Sequence, residues 1–240
     1  KAMMTKGFVP RPLNRVAVLG FGTMGRGIVI EALRNTQLPV LVKDIPEALE
    51  PGKAFVRKIL DGMAEKKRLK EPVDAILARL TVVSEYVPEF KETDLVVEAV
   101  FEAIDVKKQV YGELCGIVRP DCVIASNTSS IPITSMAPFV TRPERFGGLH
   151  FFSPVWLMQL VEVIREAETS DATVAALTEL GKRMTRVPVT VADMPGFLVN
   201  MGGRAFSSEA LRIAHESVAT PAQIDAVMRD CRHFQIGRAH

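Results

Sequence analysis

The sequence predicts a doubly wound α/β sheet followed by the start of an all-helical C-terminal domain, and three observations predict it. Short, continuously apolar runs alternate with helical stretches through the first 145 or so residues, and strands of that kind belong to a parallel sheet covered on both faces. A glycine-rich turn, Gly20-Phe21-Gly22-Thr23-Met24-Gly25, joins the first run directly to the first helix. Beyond Phe197 the chain reads as helix to its end.

In order, Arg15–Leu19 is a short β-type run and Met24–Asn35 a helix opening on glycines. Val40–Asp44 is the second strand, and Pro46 suits the first turn of a long helix reaching about Lys70. Val82-Val83, Leu95–Ala99 and Cys122–Ala125 are three further strands, the last two separated by a helix over Val106–Val118. After residue 145 come strands at Phe146–Phe152, Leu160–Arg165 and Val187–Val191, with one helix between the last two. Asp193-Met194-Pro195-Gly196 breaks the pattern and sets a domain boundary. The expected organisation is a linker or remnant of an upstream segment over 1–12, a nucleotide-binding domain over 13–193 and a truncated helical domain over 194–240, which is too short to stand alone.

Composition narrows the function classes. A chain of 240 residues that is 48% hydrophobic and 24% charged is an ordinary globular sequence, with no disorder or coiled-coil signature. No apolar run approaches the ~18 residues needed to cross a bilayer, and a net charge of +2 leaves no nucleic-acid footprint. Cys115, Cys122 and Cys231 are an odd number without metal-ligand spacing, so a reducing compartment and no metal are expected. The chain opens Lys1-Ala2-Met3-Met4 without a signal-peptide core, and an upstream segment is expected to be missing. Its last five residues, Ile236–His240, can be encoded by a string found in common sequencing adapters; an assembly scar and a natural ending both stay open.

The glycine turn carries the first functional signal. Its first glycine permits the tight turn, the second lets backbone approach a pyrophosphate, and the third lets helix and strand pack closely. The pyrophosphate then meets unpaired N–H groups at the positive end of the helix. Asp44 closes the second strand 24 residues after Gly20, where a carboxylate accepts hydrogen bonds from ribose hydroxyls and repels a 2′-phosphate. NAD is therefore favoured over NADP, with Lys43 beside the acid weighing the other way.

Four further motifs follow in order: Val97-Glu98-Ala99-Val100-Phe101-Glu102, Ser126-Asn127-Thr128-Ser129-Ser130, Gly148-Leu149-His150-Phe151-Phe152-Ser153-Pro154 and Pro195-Gly196-Phe197-Leu198-Val199-Asn200. The series resembles the L-3-hydroxyacyl-CoA dehydrogenases of fatty-acid β-oxidation over about residues 14–232. Val42-Lys43-Asp44-Ile45 looks more like the dehydrogenase region of the multifunctional fatty-acid oxidation α-subunit, in which a hydratase domain precedes this one. The resemblance implies a Rossmann-type domain, NAD as cofactor, an acyl-CoA substrate, and a homodimer or a larger fatty-acid oxidation complex when full length. A bacterial chain would be cytoplasmic; a mitochondrial or peroxisomal location stays open.

Oxidising a secondary alcohol removes a proton from oxygen while hydride leaves carbon, and histidine is the usual base near neutral pH. His150 and Glu162 fall on consecutive strands, and a turn near Ser153-Pro154 would bring both to one site, where a carboxylate fixes the imidazole tautomer. The resemblance makes His150 the catalytic base and Glu162 its orienting partner. It puts Ser129 and Asn200 at the substrate oxygen, and Glu102, Lys107 and Asn127 at the nicotinamide half of NAD. Gly20, Gly22, Thr23, Met24, Gly25 and Asp44 hold the rest of the cofactor. Glu102 and Lys107, five apart, are not a standard helix pair, and Glu98 reads as structural. Lys66 and Lys67 follow from the resemblance as weak candidates for coenzyme A contact, although a solvated helix face explains their cluster as well. His215, His233 and His240 fit no motif.

Two positions depart from the family pattern. Met201-Gly202-Gly203 stands where arginine usually follows the hinge asparagine, and each interior glycine costs a helix about 1 kcal/mol. Ser153 replaces a common asparagine. Two other functions stay open: a nucleotide-binding fragment without catalysis, and a 3-hydroxy acid dehydrogenase of the 6-phosphogluconate type. The latter relies on an interdomain lysine, and no lysine follows Lys182.

Overall fold

The computed structural model of the chain describes residues 12–232; the expected upstream remnant save its last residue, together with His233, His240 and the closing five residues, lies outside the described residues. The chain divides into two compact units between Phe197 and Leu198.

The first unit is built on β1 (Val16–Leu19), β2 (Val40–Lys43), β3 (Leu80–Val83), β4 (Leu95–Glu98), β5 (Val123–Ser126), β6 (Phe146–Phe151), β7 (Leu160–Arg165) and β8 (Val187–Ala192). They form one sheet in the order β3-β2-β1-β4-β5-β6-β7-β8. All neighbours pair parallel except β6 and β7, which run antiparallel. The strand order reverses between β1 and β4, and open sheets of this kind take ligands in the crevice outside their carboxyl ends at that switch. Helices α1 (Thr23–Thr36), α2 (Pro46–Glu65), α3 (Val73–Leu77), α4 (Ile104–Cys115), α5 (Ile133–Met136) and α6 (Asp171–Arg183) complete the unit.

Alternation along the strands sends side chains to two cores. Val16 and Val18 of β1 face one core with Ile28 of α1 and Leu177 of α6, while Ala17 and Leu19 face the other with Tyr111 of α4 and Ile133 of α5. The same alternation aims Glu98, His150 and Glu162 into the α4 side, on the faces of Val96, Phe146 and Ile164.

The long second helix stops earlier than its expected end at Lys70. Lys67 takes a left-handed φ of 54° and Arg68 N–H bonds back to Met63 O at 2.9 Å, closing α2 at Glu65. Helix α3, at five residues, is too short to show a period in sequence and went unexpected. In the second unit α7 (Val199–His215) runs unbroken through Gly202 and Gly203, and α8 (Pro221–Arg232) follows it.

Candidate active site

The glycine turn shows why each glycine is needed. Gly20 has φ +97°, and a Cβ there would stand 2.4 Å from Ala99 O; one on Gly25 would stand 1.9 Å from Gly20 O. A Cβ on Gly22 would meet nothing within 4 Å, because that position faces an open cleft of about 580 Å³. No side chain caps the start of α1. Asp44 closes the turn: Oδ2 accepts the Phe21 N–H at 2.5 Å and Oδ1 the Ile45 N–H at 2.7 Å. An open approach at Gly22, an uncapped helix start and a carboxylate beyond β2 together fit a pyrophosphate and a ribose. Thr23, Met24 and Asp44 line the same cleft.

A second cleft, of about 340 Å³, shares Met24, Ala99 and Val100 with the first and is lined by Glu102, Lys107, Asn127, Ser129 and His150. His150 and Glu162 are paired residues of the β6–β7 ladder, and His150 Nδ1 stands 2.8 Å from Glu162 Oε2. Both side chains are buried. A carboxylate only accepts, so the shared proton sits on Nδ1 and leaves Nε2 as the basic atom. Phe152 and Phe197 flank the imidazole, with centroids at 4.6 and 5.5 Å.

The chain leaves this unit beside that ring. Asp193 accepts the Ile133 and Thr134 N–H groups at 3.0 and 2.7 Å, capping α5, and four residues later Phe197 is fully buried. Phe197 has φ 49°, a left-handed conformation disfavoured for a bulky residue.

Glu98 is a buried hub. Oε1 accepts Lys107 Nζ at 2.7 Å and the Val100 N–H at 2.9 Å, and Oε2 accepts the Tyr111 and Ser126 hydroxyls at 2.6 and 2.7 Å. Lys107 and Tyr111 reach it together because i and i+4 share one face of α4. Lys107 also pairs with Glu102 at 3.2 Å. Their five-residue spacing is no obstacle, since Glu102 precedes α4. Burial works to raise the Glu102 pKa, but the Thr128 hydroxyl, Lys107 and the Ser129 N–H outweigh it and hold the carboxyl below its ordinary range. Asn127 ties β5 to β6, its Oδ1 accepting the Phe151 N–H at 2.9 Å.

Ser129 lies exposed at the mouth of the second cleft. Asn200 stands in the first turn of α7, in the second unit. Lys66 and Lys67 follow the far end of α2, about 30 Å along the helix from its start beside Asp44, and line neither cleft.

Sequence reasoning missed Glu31 and Arg186. Arg186, at the foot of β8, donates to Met184 O, Val155 O and Met158 O at 3.0, 3.1 and 2.7 Å and pairs with Glu31 of α1. Burial raises the Glu31 pKa, against the pull of Arg34 and Arg186. The pair is 155 residues apart in sequence, beyond the reach of any local pattern.

Known proteins place the chain. The model of the 3-hydroxyacyl-CoA dehydrogenase NAD binding domain matches residues 15–194, and that of the C-terminal domain of the same family matches residues 196–239. The chain belongs to the 3-hydroxyacyl-CoA dehydrogenase family. Members of this family are NAD-dependent oxidoreductases, and the glycine-turn unit is their NAD-binding domain. A probable 3-hydroxybutyryl-CoA dehydrogenase of Deinococcus radiodurans is 38% identical over 215 residues, covering 90% of this chain and 77% of that protein. The fatty acid oxidation complex subunit alpha of Psychrobacter arcticus is 44% identical over 190 residues, 78% of this chain but 26% of that protein. The chain thus spans about a quarter of the multifunctional relative. The crystal structure of (S)-3-hydroxybutyryl-CoA dehydrogenase from Ralstonia eutropha superposes with a TM-score of 0.89 at 39% identity, covering 94% of this chain and 80% of that one. Among the described residues no helix is long and apolar enough to cross a membrane.

Proposed function

We propose that the chain oxidises the 3-hydroxyl of a 3-hydroxyacyl-CoA to the 3-oxo group, with His150 as the base that takes the hydroxyl proton on Nε2. The single observation that carries the reading is the buried His150–Glu162 pair at 2.8 Å, in a cleft continuous with the glycine turn. NAD, when bound, supplies the nicotinamide that accepts hydride from C3. Glu162 holds the imidazole in its Nδ1–H tautomer and stabilises the imidazolium that forms. Glu102, Lys107 and Asn127 orient the nicotinamide half, while Asp44 takes the ribose hydroxyls and Gly20, Gly22, Thr23, Met24 and Gly25 admit the pyrophosphate. Ser129 and Asn200 hold the substrate oxygen.

In this reading residues 13–193 are the cofactor domain and 194–240 belong to the helical C-terminal domain. A homodimer or a larger fatty-acid oxidation complex is the expected assembly, and a bacterial chain works in the cytoplasm. Lys66 and Lys67, just beyond the end of α2, are the candidates for contact with the coenzyme A moiety, outside both clefts. The test is NADH formation from 3-hydroxybutyryl-CoA, measured beside calorimetric NAD binding. NAD binding with no NADH formed would return the non-catalytic alternative.

A further inference from the structure

One cation in the first cleft has no part in the chemistry above. Lys43 ends β2, on the strand face opposite Val42, and its Nζ stands 4.6 Å from the centroid of the Tyr86 ring. Tyr86 is itself held edge-on by the buried Phe90, with centroids at 5.0 Å and planes at 73°. Burial, then the nearby Glu113, pushes the Tyr86 phenol up, so the platform under the ammonium is a neutral ring. Lys43 is half-buried, and among the described residues it forms no ion pair. The carboxylate of the adjacent Asp44 is engaged with the Phe21 and Ile45 N–H groups. Around Lys43 and Tyr86 the cleft wall is apolar: Ile45, Phe101, Val106 and Val110.

An ammonium fixed on an aromatic ring in an apolar slot offers hydrogen-bond donors and flat sides, and no acceptor. That suits a planar heterocycle with ring-nitrogen acceptors. It does not suit the positively charged nicotinamide ring, and the base at His150 belongs to the other cleft. We propose that Lys43, positioned by Tyr86, is the recognition residue for the adenine base, its ammonium donating to a purine ring nitrogen between the apolar walls. The proposal rests on the reading of this cleft as the NAD site and adds to it a residue that fixes the adenine end.

The experiment is calorimetric titration of the whole chain with NAD, AMP, nicotinamide mononucleotide and inorganic pyrophosphate. Lys43→Met, which keeps the stem and removes the donor, should weaken AMP and NAD about ten- to a hundredfold, the worth of one charged hydrogen bond. Nicotinamide mononucleotide and pyrophosphate should bind as before. Tyr86→Phe, which keeps the ring, should hold AMP affinity within twofold, and Tyr86→Leu should lower it several-fold; Lys43→Gln serves if Lys43→Met misfolds. Unchanged AMP affinity in both Lys43 variants would overturn the proposal, as would an equal loss for nicotinamide mononucleotide or pyrophosphate. In either case the NAD reading survives, whereas an unaltered chain that binds no NAD overturns both.

Discussion

His150 and Glu162 are direct partners across the antiparallel β6–β7 pair, and their side chains meet at 2.8 Å with both buried. Cross-strand partners share a face of the sheet, so the register that pairs Leu149 with Val163 and Phe151 with Val161 also sets base and acid side by side. A slip of one residue would turn either group into the opposite core. The pair is thus held by the ladder and by the apolar residues alternating with it.

Replacing His150 by glutamine should leave NAD affinity within a few-fold and lower turnover by about 10²–10⁴, the usual worth of a positioned base. Glu162→Gln keeps the side chain's size but no longer enforces the Nδ1–H tautomer, and turnover should fall by about 10² or more. Steady-state assay with 3-hydroxybutyryl-CoA beside NAD calorimetry checks both. An equal loss of NAD binding and turnover would count against the assigned roles.

The glycines of the turn separate folding from binding. Gly22→Ala places its methyl in open cleft, so the melting temperature should stay within about 2 °C while NAD affinity falls more than about tenfold, because the methyl occupies the pyrophosphate approach. Gly25→Ala drives a methyl into Gly20 O, and should lower the melting temperature as well as NAD affinity. Thermal melts and titrations on the two variants read the contrast directly.

Arg186→Met removes one of the two arginines paired with the buried Glu31, leaving Arg34 at 3.0 Å, and breaks three bonds to carbonyl oxygens, and should cost about 2–4 kcal/mol in urea unfolding. Adding Glu31→Gln to the same chain removes a buried charge that then has only Arg34 to balance it. The double variant should recover part of the loss.

Glu102 sets an acid limb on stability. Its folded pKa is depressed, so its contribution is complete above the ordinary carboxylate range and is lost as pH falls through the folded value. Glu102→Gln should therefore flatten the decline of the urea midpoint between neutral pH and about pH 3. A decline as steep as that of the unaltered chain would contradict the sign.

Much of the fold was legible because it is local. Continuous apolar runs, the glycine turn and Pro46 mark strands, crevice and helix start without reference to distant residues. His150 and Glu162 were legible as neighbours because their strands are consecutive in the chain, with only the connector over residues 152–159 between them. Glu98 read only as a strand residue, since its four donors come from a loop, a helix and the next strand. The Glu102–Lys107 pair was obscured by a helix-spacing argument that fails where the chain is not yet helical.

Arg186 binds the connector between β6 and β7 to α1, while Val155 of that connector lies so near Gly27 that a Cβ there would come within 2.7 Å of it. The helix that opens at the coenzyme's landing turn and the segment leaving the imidazole's strand are therefore bonded and packed directly against each other. That link is a property of the folded polypeptide itself, ahead of any ligand's arrival.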